Sequence, residues 1–275
     1  MISLDHAVVL VRDLDAAAPA YRRLGFELTP RGRHGQLGTA NHTIVFRRDY
    51  LELMTVEERR PANARWADSL DRGEGLALLA LATNDARALY RTLVERRVAA
   101  AEPIDFGRSV ARPSGPVEAR FTVCIPEPDA SPAIPAFFCQ HHTPEHVWLE
   151  EYQGHPNTAR GIAAITVVTP RPDRVLPAYE RLLGKARVHP RPGGVTLTVG
   201  RARVWLIQPD YAADRLARHR APPAGPLGVT VAVTSVATAK RVLAAAAVPY
   251  RAFGRRSILI EPTFTHGVFL ELLEG

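Results

Sequence analysis

Apolar residues occur along the chain in short runs separated by amphipathic stretches. Residues 4–11, LDHAVVLV, form a valine-rich run of strand type. Asp13 and Asp15 then supply helix-opening acids, and 14–24 carries an amphipathic helical pattern that Gly25 ends. A glycine-rich stretch, RGRHGQLGTAN at 31–41, reads as loop or hairpin. TIVF at 43–46 and YLELM at 50–54 follow as strands. The predicted order is β-α-β-β-β within the first sixty residues.

The same order returns three times. GLALLALA at 75–82 predicts a strand, Asn84 and Asp85 open a helix running to about Arg97, and FGRSV, VEARFTVCI and AFFCQHH are strand-like. IAAITVV at 162–168, a helix at 177–184, VTLTVG and ARVWLIQ form a third copy. GVTVAV at 228–233, a helix at 235–246, FGRRSILI and VFLELLEG form a fourth. The copies echo one another in sequence. PAYRRLGF at 19–26 matches PAYERLLG at 177–184, FGRS at 106–109 matches FGRRS at 253–257, and YLELM matches FLELL at 269–273. Each unit mixes one helix with several strands and is longer than most solenoid repeats, so it does not predict a solenoid.

A βαβββ unit covers one face of its sheet with a helix and must find a partner for the other. Pairing two units into one curved sheet creates a concave, partly apolar trough, and four units give two such sheets. The polar segment 141–160 reads as the connection between them. The predicted organisation is therefore a domain over 1–142 (modules 1–60 and 73–142), a linker over 143–159, and a second domain over 160–275.

Composition narrows the function classes. The formal net charge is +7, yet the arginines occur mostly singly or in pairs among acids, as in Glu57-Glu58-Arg59-Arg60. No run of five like charges and no nucleic-acid motif is present, so nucleic acid is not an expected partner. The longest apolar stretches, 76–82 and 243–248, fall far short of the ~18 residues a membrane helix needs. The N-terminus lacks a basic n-region and its apolar run is broken by charges, unlike a signal peptide. Cys124 and Cys139 sit in strand-like runs and are expected to be reduced thiols of a cytoplasmic protein. There is no G-x-S-x-G, no P-loop and no dinucleotide fingerprint.

Tandem βαβββ modules with a histidine on the first strand and a glutamate on the last resemble the vicinal oxygen chelate superfamily, which includes glyoxalase I, extradiol dioxygenases and antibiotic-resistance proteins. The stretch from LDHAVVLVRDLDAAAPAYRRLGF through GRHGQLGTANHTIVF to YLELM is similar to its glyoxalase-like domain proteins. The likeness is best over 1–150 and weaker, at module level, over 160–275. It implies an α+β fold of four βαβββ modules paired into two glyoxalase-like domains with curved mixed sheets. It also implies a small-molecule site in the trough, often with a divalent metal whose ligands on this chain would be His6 and Glu52. The residues agree with that. His6 lies among Leu4, Val8 and Leu10 at period two. Glu52 lies in a half-buried strand, where a carboxylate costs several kcal/mol unless it is paired or bound to a cation. An imidazole and a carboxylate suit Zn, Fe, Mn or Ni better than Ca. The competing reading is a satisfied core histidine and a glutamate paired with an arginine.

A metal site needs three or four protein ligands. The first strand of the second module offers only Leu76, Ala77 and Leu78. Its last strand offers Gln140 or His142 as the residue aligned with Glu52, or else these are strand-end polar groups entering the linker. His34, among Gly32, Gly35 and Gly38, is a candidate acid–base or substrate-binding group, the alternative being an exposed turn residue. Asn41, Tyr50 and Phe138 are candidate substrate contacts, with Phe137 and Trp205 as further wall residues. His141, His142, His146 and His155 match no compact zinc spacing and read as a solvated linker, with Trp148 and Tyr152 anchoring it. In the second domain, Ala164 aligns with His6 and Trp205 with Glu52. Only Glu271 remains, expected to pair with an arginine or His266, so no metal is expected there. That domain could be a structural half, a homodimer surface or a lid. Two functions follow: a metal-dependent lyase, isomerase or dioxygenase in which Glu52 is ligand or base, and a metal-free small-molecule binding or sequestering protein.

Overall fold

A computed structural model describes residues 2–110, 115–216 and 223–275. Each repeat folds as a first strand, a helix and three further strands. The first comprises β1 (Ser3–Leu10), α1 (Leu14–Arg23), β2 (Gly32–His34), β3 (Thr39–Val45) and β4 (Tyr50–Val56). Helix α2 (Ala64–Arg72) follows, which the sequence pattern did not predict. The second repeat comprises β5 (Gly75–Ala82), α3 (Ala86–Glu95), β6 (Ile104–Val110), β7 (Val117–Cys124) and β8 (Ala136–His141). The third comprises β9 (Ala159–Val168), α4 (Pro172–Leu183), β10 (Val188–Arg191), β11 (Gly194–Val199) and β12 (Ala202–Ile207). After a second unpredicted helix, α5 (Pro209–Leu216), the fourth comprises β13 (Gly225–Val233), α6 (Val236–Ala245), β14 (Arg251–Ala252), β15 (Ser257–Ile260) and β16 (Phe269–Glu274).

Three of the four strand-to-helix junctions share one local cause. Asp13, Asp85 and Ser235 each sit in extended backbone before a helix, and each side chain accepts a backbone N–H of the first turn. Within every repeat the first and last strands pair in parallel, and the two repeats of each half join through antiparallel first strands. The first eight strands close into a barrel in the order β1-β4-β3-β2-β6-β7-β8-β5. The other eight form an open curved sheet, β10-β11-β12-β9-β13-β16-β15-β14. The fold is thus mixed α+β, four modules paired into two curved sheets.

One continuous apolar core spans both halves, from Leu4, Tyr21 and Phe138 to Leu243 and Leu272. The segment predicted to be a solvated linker is part of this packing. Val147, Leu149 and Asn157 are buried. His155 accepts the N–H of Glu27 at Nδ1 (3.0 Å) and donates from Nε2 to the carbonyl of Val45 (3.1 Å), so both ring nitrogens are occupied in the neutral form. Burial pushes its pKa below the usual value, as that bonding requires. Asn157 donates to the carbonyl of Leu24 at 2.9 Å. A polar composition concealed a docking strap because its polar atoms find backbone partners.

Asp49, in the turn before β4, accepts the N–H of Ile162 on β9 at 2.9 Å and ties the barrel to the second sheet. Burial raises its pKa to about 7; the Ile162 bond opposes this and the charge of Asp5 adds to it. A carboxyl whose folded-state pKa is raised contributes stability at low pH that is lost as pH rises, here across roughly 4 to 7. Asp49→Asn keeps the acceptor and removes the charge. At pH 8 it should unfold in urea with a stability higher than the natural chain's by on the order of 2 kcal/mol, the difference vanishing near pH 4.

Candidate active site

Strict alternation along β1 would place Leu4, His6, Val8 and Leu10 on one face. The β1–β5 ladder instead slips between Leu4 and His6, leaving Asp5 as the extra residue of a bulge. Leu4 consequently packs in the main core with Ala7 and Val9, whereas Val8 and Leu10 join Met54 and Leu78 inside the barrel. The bulge directs two consecutive polar side chains, Asp5 and His6, toward barrel partners.

Those side chains head a buried polar chain. Nδ1 of His6 meets Oδ1 of Asp5 at 2.6 Å, and Nε2 faces Oε2 of Glu52 at 3.5 Å. The other oxygen of Glu52, Oε1, accepts from Nδ2 of Asn41 at 2.6 Å. Oδ2 of Asp5 lies 2.9 Å from Nε2 of His141, an ion-pair distance, but the approach is off-axis and neither atom has an aligned hydrogen bond. Burial alone would raise the Asp5 pKa; the two histidines outweigh it and bring it down to about 2. The His6 ring stacks on Tyr50 with centroids 4.3 Å apart. Trp148, from the strap, packs its ring on Tyr50 and His141.

The chain opens onto a cavity of about 70 Å³ inside the barrel, lined among others by His6, His34, Asn41, Tyr50, Glu52 and Arg108. Phe106, Phe121, Phe137 and Trp66 supply its aromatic wall, the last from the unpredicted α2. His34 is buried, with Nδ1 on Oγ1 of Thr39 at 2.9 Å. Burial lowers its pKa to about 4; Glu52 opposes the shift, and Arg108 and His6 reinforce it. The ring is therefore neutral near pH 7, a hydrogen-bonding group and a weak base. The Cys139 thiol is pushed well up by burial, with the charges of Asp5 and Glu52 acting in the same direction. A larger groove of about 700 Å³, bordered by Phe46, Arg47, Trp148 and Arg160, contains no acid–imidazole set and is not the candidate centre.

The structure brings His6, Glu52, His34, Asn41 and Tyr50 together and sends three other candidates elsewhere. Gln140 accepts the N–H of Ala86 at 2.9 Å, where α3 begins. His142 meets Thr122 at 2.7 Å. Phe138 is buried in the main core, on the helix side of its strand. The reason is register. β1 pairs His6 with Ala80 and with Tyr50, and β5 pairs Ala80 with Phe137. The bulge residue Asp5 of β1 is matched by Ala77 of β5, so Leu78 is the counterpart of His6, Ala80 of Val8, Phe137 of Glu52 and Cys139 of Met54. An offset of one residue turns a strand's side chains to the opposite face. In the second half the bulge residues Ala163 and Leu227 match Asp5, so Ala164 and Gly228 are the counterparts of His6, and Trp205 and Glu271 those of Glu52.

Two donor sets result. His6 and Glu52 face the cavity, with Cys139 on the same lining. Asp5, Cys139 and His141 bring their ligand atoms within 4.8 Å of one another deeper in the wall. Asp5 and His141 escaped the sequence reading. An acid beside the strand histidine was the visible signal, but only the bulge gives it meaning. In the second half, Glu271 is bound by Arg215 at 3.3 Å and by Thr230 at 2.8 Å. Arg215 also lies over the rings of Trp205 and Phe253, so the end of α5 occupies that trough. His266 pairs with Glu74 instead, at 3.0 Å.

Comparison with known proteins gives a family and a fold. A family model described as glyoxalase-like domain matches residues 4–183. The chain belongs to that family. With it the glyoxalase-like chain joins the vicinal oxygen chelate superfamily. A hypothetical protein from Staphylococcus aureus is similar over 99% of both chains, with a TM-score of 0.74 at 14% identity. A mutant of 4-hydroxymandelate synthase from Streptomyces coelicolor is similar over 99% of this chain and 92% of its own, with a TM-score of 0.56 at 14% identity. A methylmalonyl-CoA epimerase from Mycobacterium tuberculosis aligns with 50% of this chain and 87% of its own, at 19% identity and a TM-score of 0.39. At these identities the first two likenesses speak to fold alone. No curated protein matches the chain in sequence. Among the described residues, no helix is long and apolar enough to cross a membrane.

Asp5→Asn tests the buried chain. A carboxyl with a depressed folded-state pKa stabilises above its unfolded pKa and loses that effect as pH falls toward the folded value. Urea denaturation should show the variant about 2 kcal/mol less stable than the natural chain at pH 7, with the gap closing as pH falls from about 4 to 2.

Proposed function

We propose that the glyoxalase-like chain is two domains, 1–142 and 160–275, joined by 143–159, and that the first is a small-molecule enzyme centred on a divalent ion between His6 and Glu52. The carrying observation is the 3.5 Å separation of His6 Nε2 and Glu52 Oε2, each held by a partner on its other polar atom. Two ligands about 2.1 Å from one ion at a tetrahedral angle lie about 3.4 Å apart. A carboxylate behind a ligating histidine, the position of Asp5, is the usual second partner in metal sites. With the Cys139 thiol on the same lining, the donors fit zinc, and Fe, Mn or Ni after it.

Such an ion supplies Lewis-acid stabilisation of negative charge developing on a substrate oxygen. Asp5 holds the His6 ring so that Nε2 stays on the cavity side. Asn41 holds one oxygen of Glu52 and leaves the other facing the cavity, where it could accept a proton from a substrate carbon or hydroxyl. His34, neutral near pH 7, hydrogen-bonds a substrate oxygen. This favours proton-transfer chemistry, isomerase or lyase, over a dioxygenase, whose iron commonly takes two histidines and one carboxylate. Leu78, Ala164 and Gly228 at the positions matching His6 favour a second reading, metal-free binding or sequestration. The unpaired cysteines suit a reducing, cytoplasmic setting.

Metal content of untagged protein, followed by Zn²⁺ and Mn²⁺ titrations, distinguishes the two. We expect about one ion per barrel, at least tenfold weaker binding in His6→Ala and Glu52→Gln, and smaller losses in His141→Ala. No binding at millimolar ion would leave the metal-free reading.

A further inference from the structure

Strand β6 runs inside the barrel wall with Phe106, Arg108 and Val110 on one face. Phe106 and Val110 pack with Ala119 and Phe121 of β7 in the barrel interior. Arg108 lies between them in sequence and shares their orientation, lining the His6–Glu52 cavity. Arg108 is half-buried, and a guanidinium drawn partly out of water gains from an anion that meets it. Among the described residues, Arg108 has no hydrogen-bond or ion-pair partner. Glu52, across the cavity, is already bound by Asn41 at 2.6 Å and faces His6. Asp5 is engaged by His6 and His141. The charge of Arg108 nevertheless reaches the site, since it works against protonation of His34.

We propose that Arg108 is the substrate-binding residue of this cavity and that the substrate carries a single carboxylate on a flat apolar body. This rests on the metal reading above. A divalent ion together with Arg108 would exceed the charges of Asp5 and Glu52 by one, which a monoanion balances. A planar carboxylate matches the fork of a guanidinium. The recess of about 70 Å³ takes the carboxylate and the atoms next to it. The ring or chain beyond extends along Phe106, Phe121 and Trp66, which line the same cavity.

Benzoate and benzamide share shape and differ in charge. Titrated into the zinc-loaded full chain and followed by indole fluorescence, benzoate should bind at least tenfold more tightly than benzamide. Arg108→Met should reduce that preference to less than twofold while leaving benzamide affinity, zinc affinity and the circular dichroism spectrum unchanged. Arg108→Lys should retain part of the preference. Equal affinity for the two probes, or a preference that survives Arg108→Met, overturns the assignment. Inorganic phosphate that binds more tightly than benzoate overturns the carboxylate class. Zinc titration is read separately. Zinc bound without carboxylate preference sinks this inference alone, and carboxylate preference without zinc binding sinks only the metal reading.

Discussion

A bulge at the start of β1 governs the active half of the molecule. Asp5 and His6 are consecutive, yet both engage partners of the barrel wall and interior, which a regular strand forbids because successive side chains alternate. Displacing the ladder by one residue returns Leu4 to the main core and releases Asp5 to sit behind His6. From there the polar chain extends in two directions, through Glu52 to Asn41 and through Asp5 to His141. Each carboxylate in it is buried, and each is held by neighbours that make burial tolerable. The chain is also asymmetric. Its Glu52–His6 end borders the cavity, and its His141 end is closed by Trp148 from the strap.

The repeats share a scaffold and diverge in what they place on it. The counterparts of His6 are Leu78, Ala164 and Gly228, and those of Glu52 are Phe137, Trp205 and Glu271. Only the first repeat supplies both an imidazole and a carboxylate. Glu271 keeps its place but is neutralised by Arg215, whose guanidinium also lies over two aromatic rings. The second trough thus holds its own internal cation, and its remaining cavity is about 30 Å³. A shared apolar core, the Asp49–Ile162 bond and the Tyr21–Thr265 bond (3.0 Å) fasten this half to the barrel.

Much of the architecture was legible in the pattern of apolar runs. The four βαβββ units, the strands bearing His6 and Glu52, and the helices after Asp13 and Asp85 follow from local preferences that tertiary contacts reinforce. Helices α2 and α5 were not legible, since short charged segments carry a weak periodic signal and their apolar residues find partners only across the barrel mouth or trough. The polar composition of 143–158 predicts a solvated segment, because composition does not reveal which backbone groups will satisfy a histidine or an asparagine.

The sequence by itself determined that the chain repeats a module four times and that one repeat carries an acid and an imidazole on facing strands. These depend on spacing within one segment, which a linear reading resolves. Register decided the rest. Only the paired strands show that Phe137 and not Gln140 answers Glu52, that Phe138 turns to the core, and that Arg108 comes to the same cavity as His6. The physical reason is that strand side chains alternate with a period of two, so a bulge or a slip of a single residue exchanges interior for exterior. Such a slip is fixed by hydrogen bonds between segments distant in sequence, and no run of residues records it.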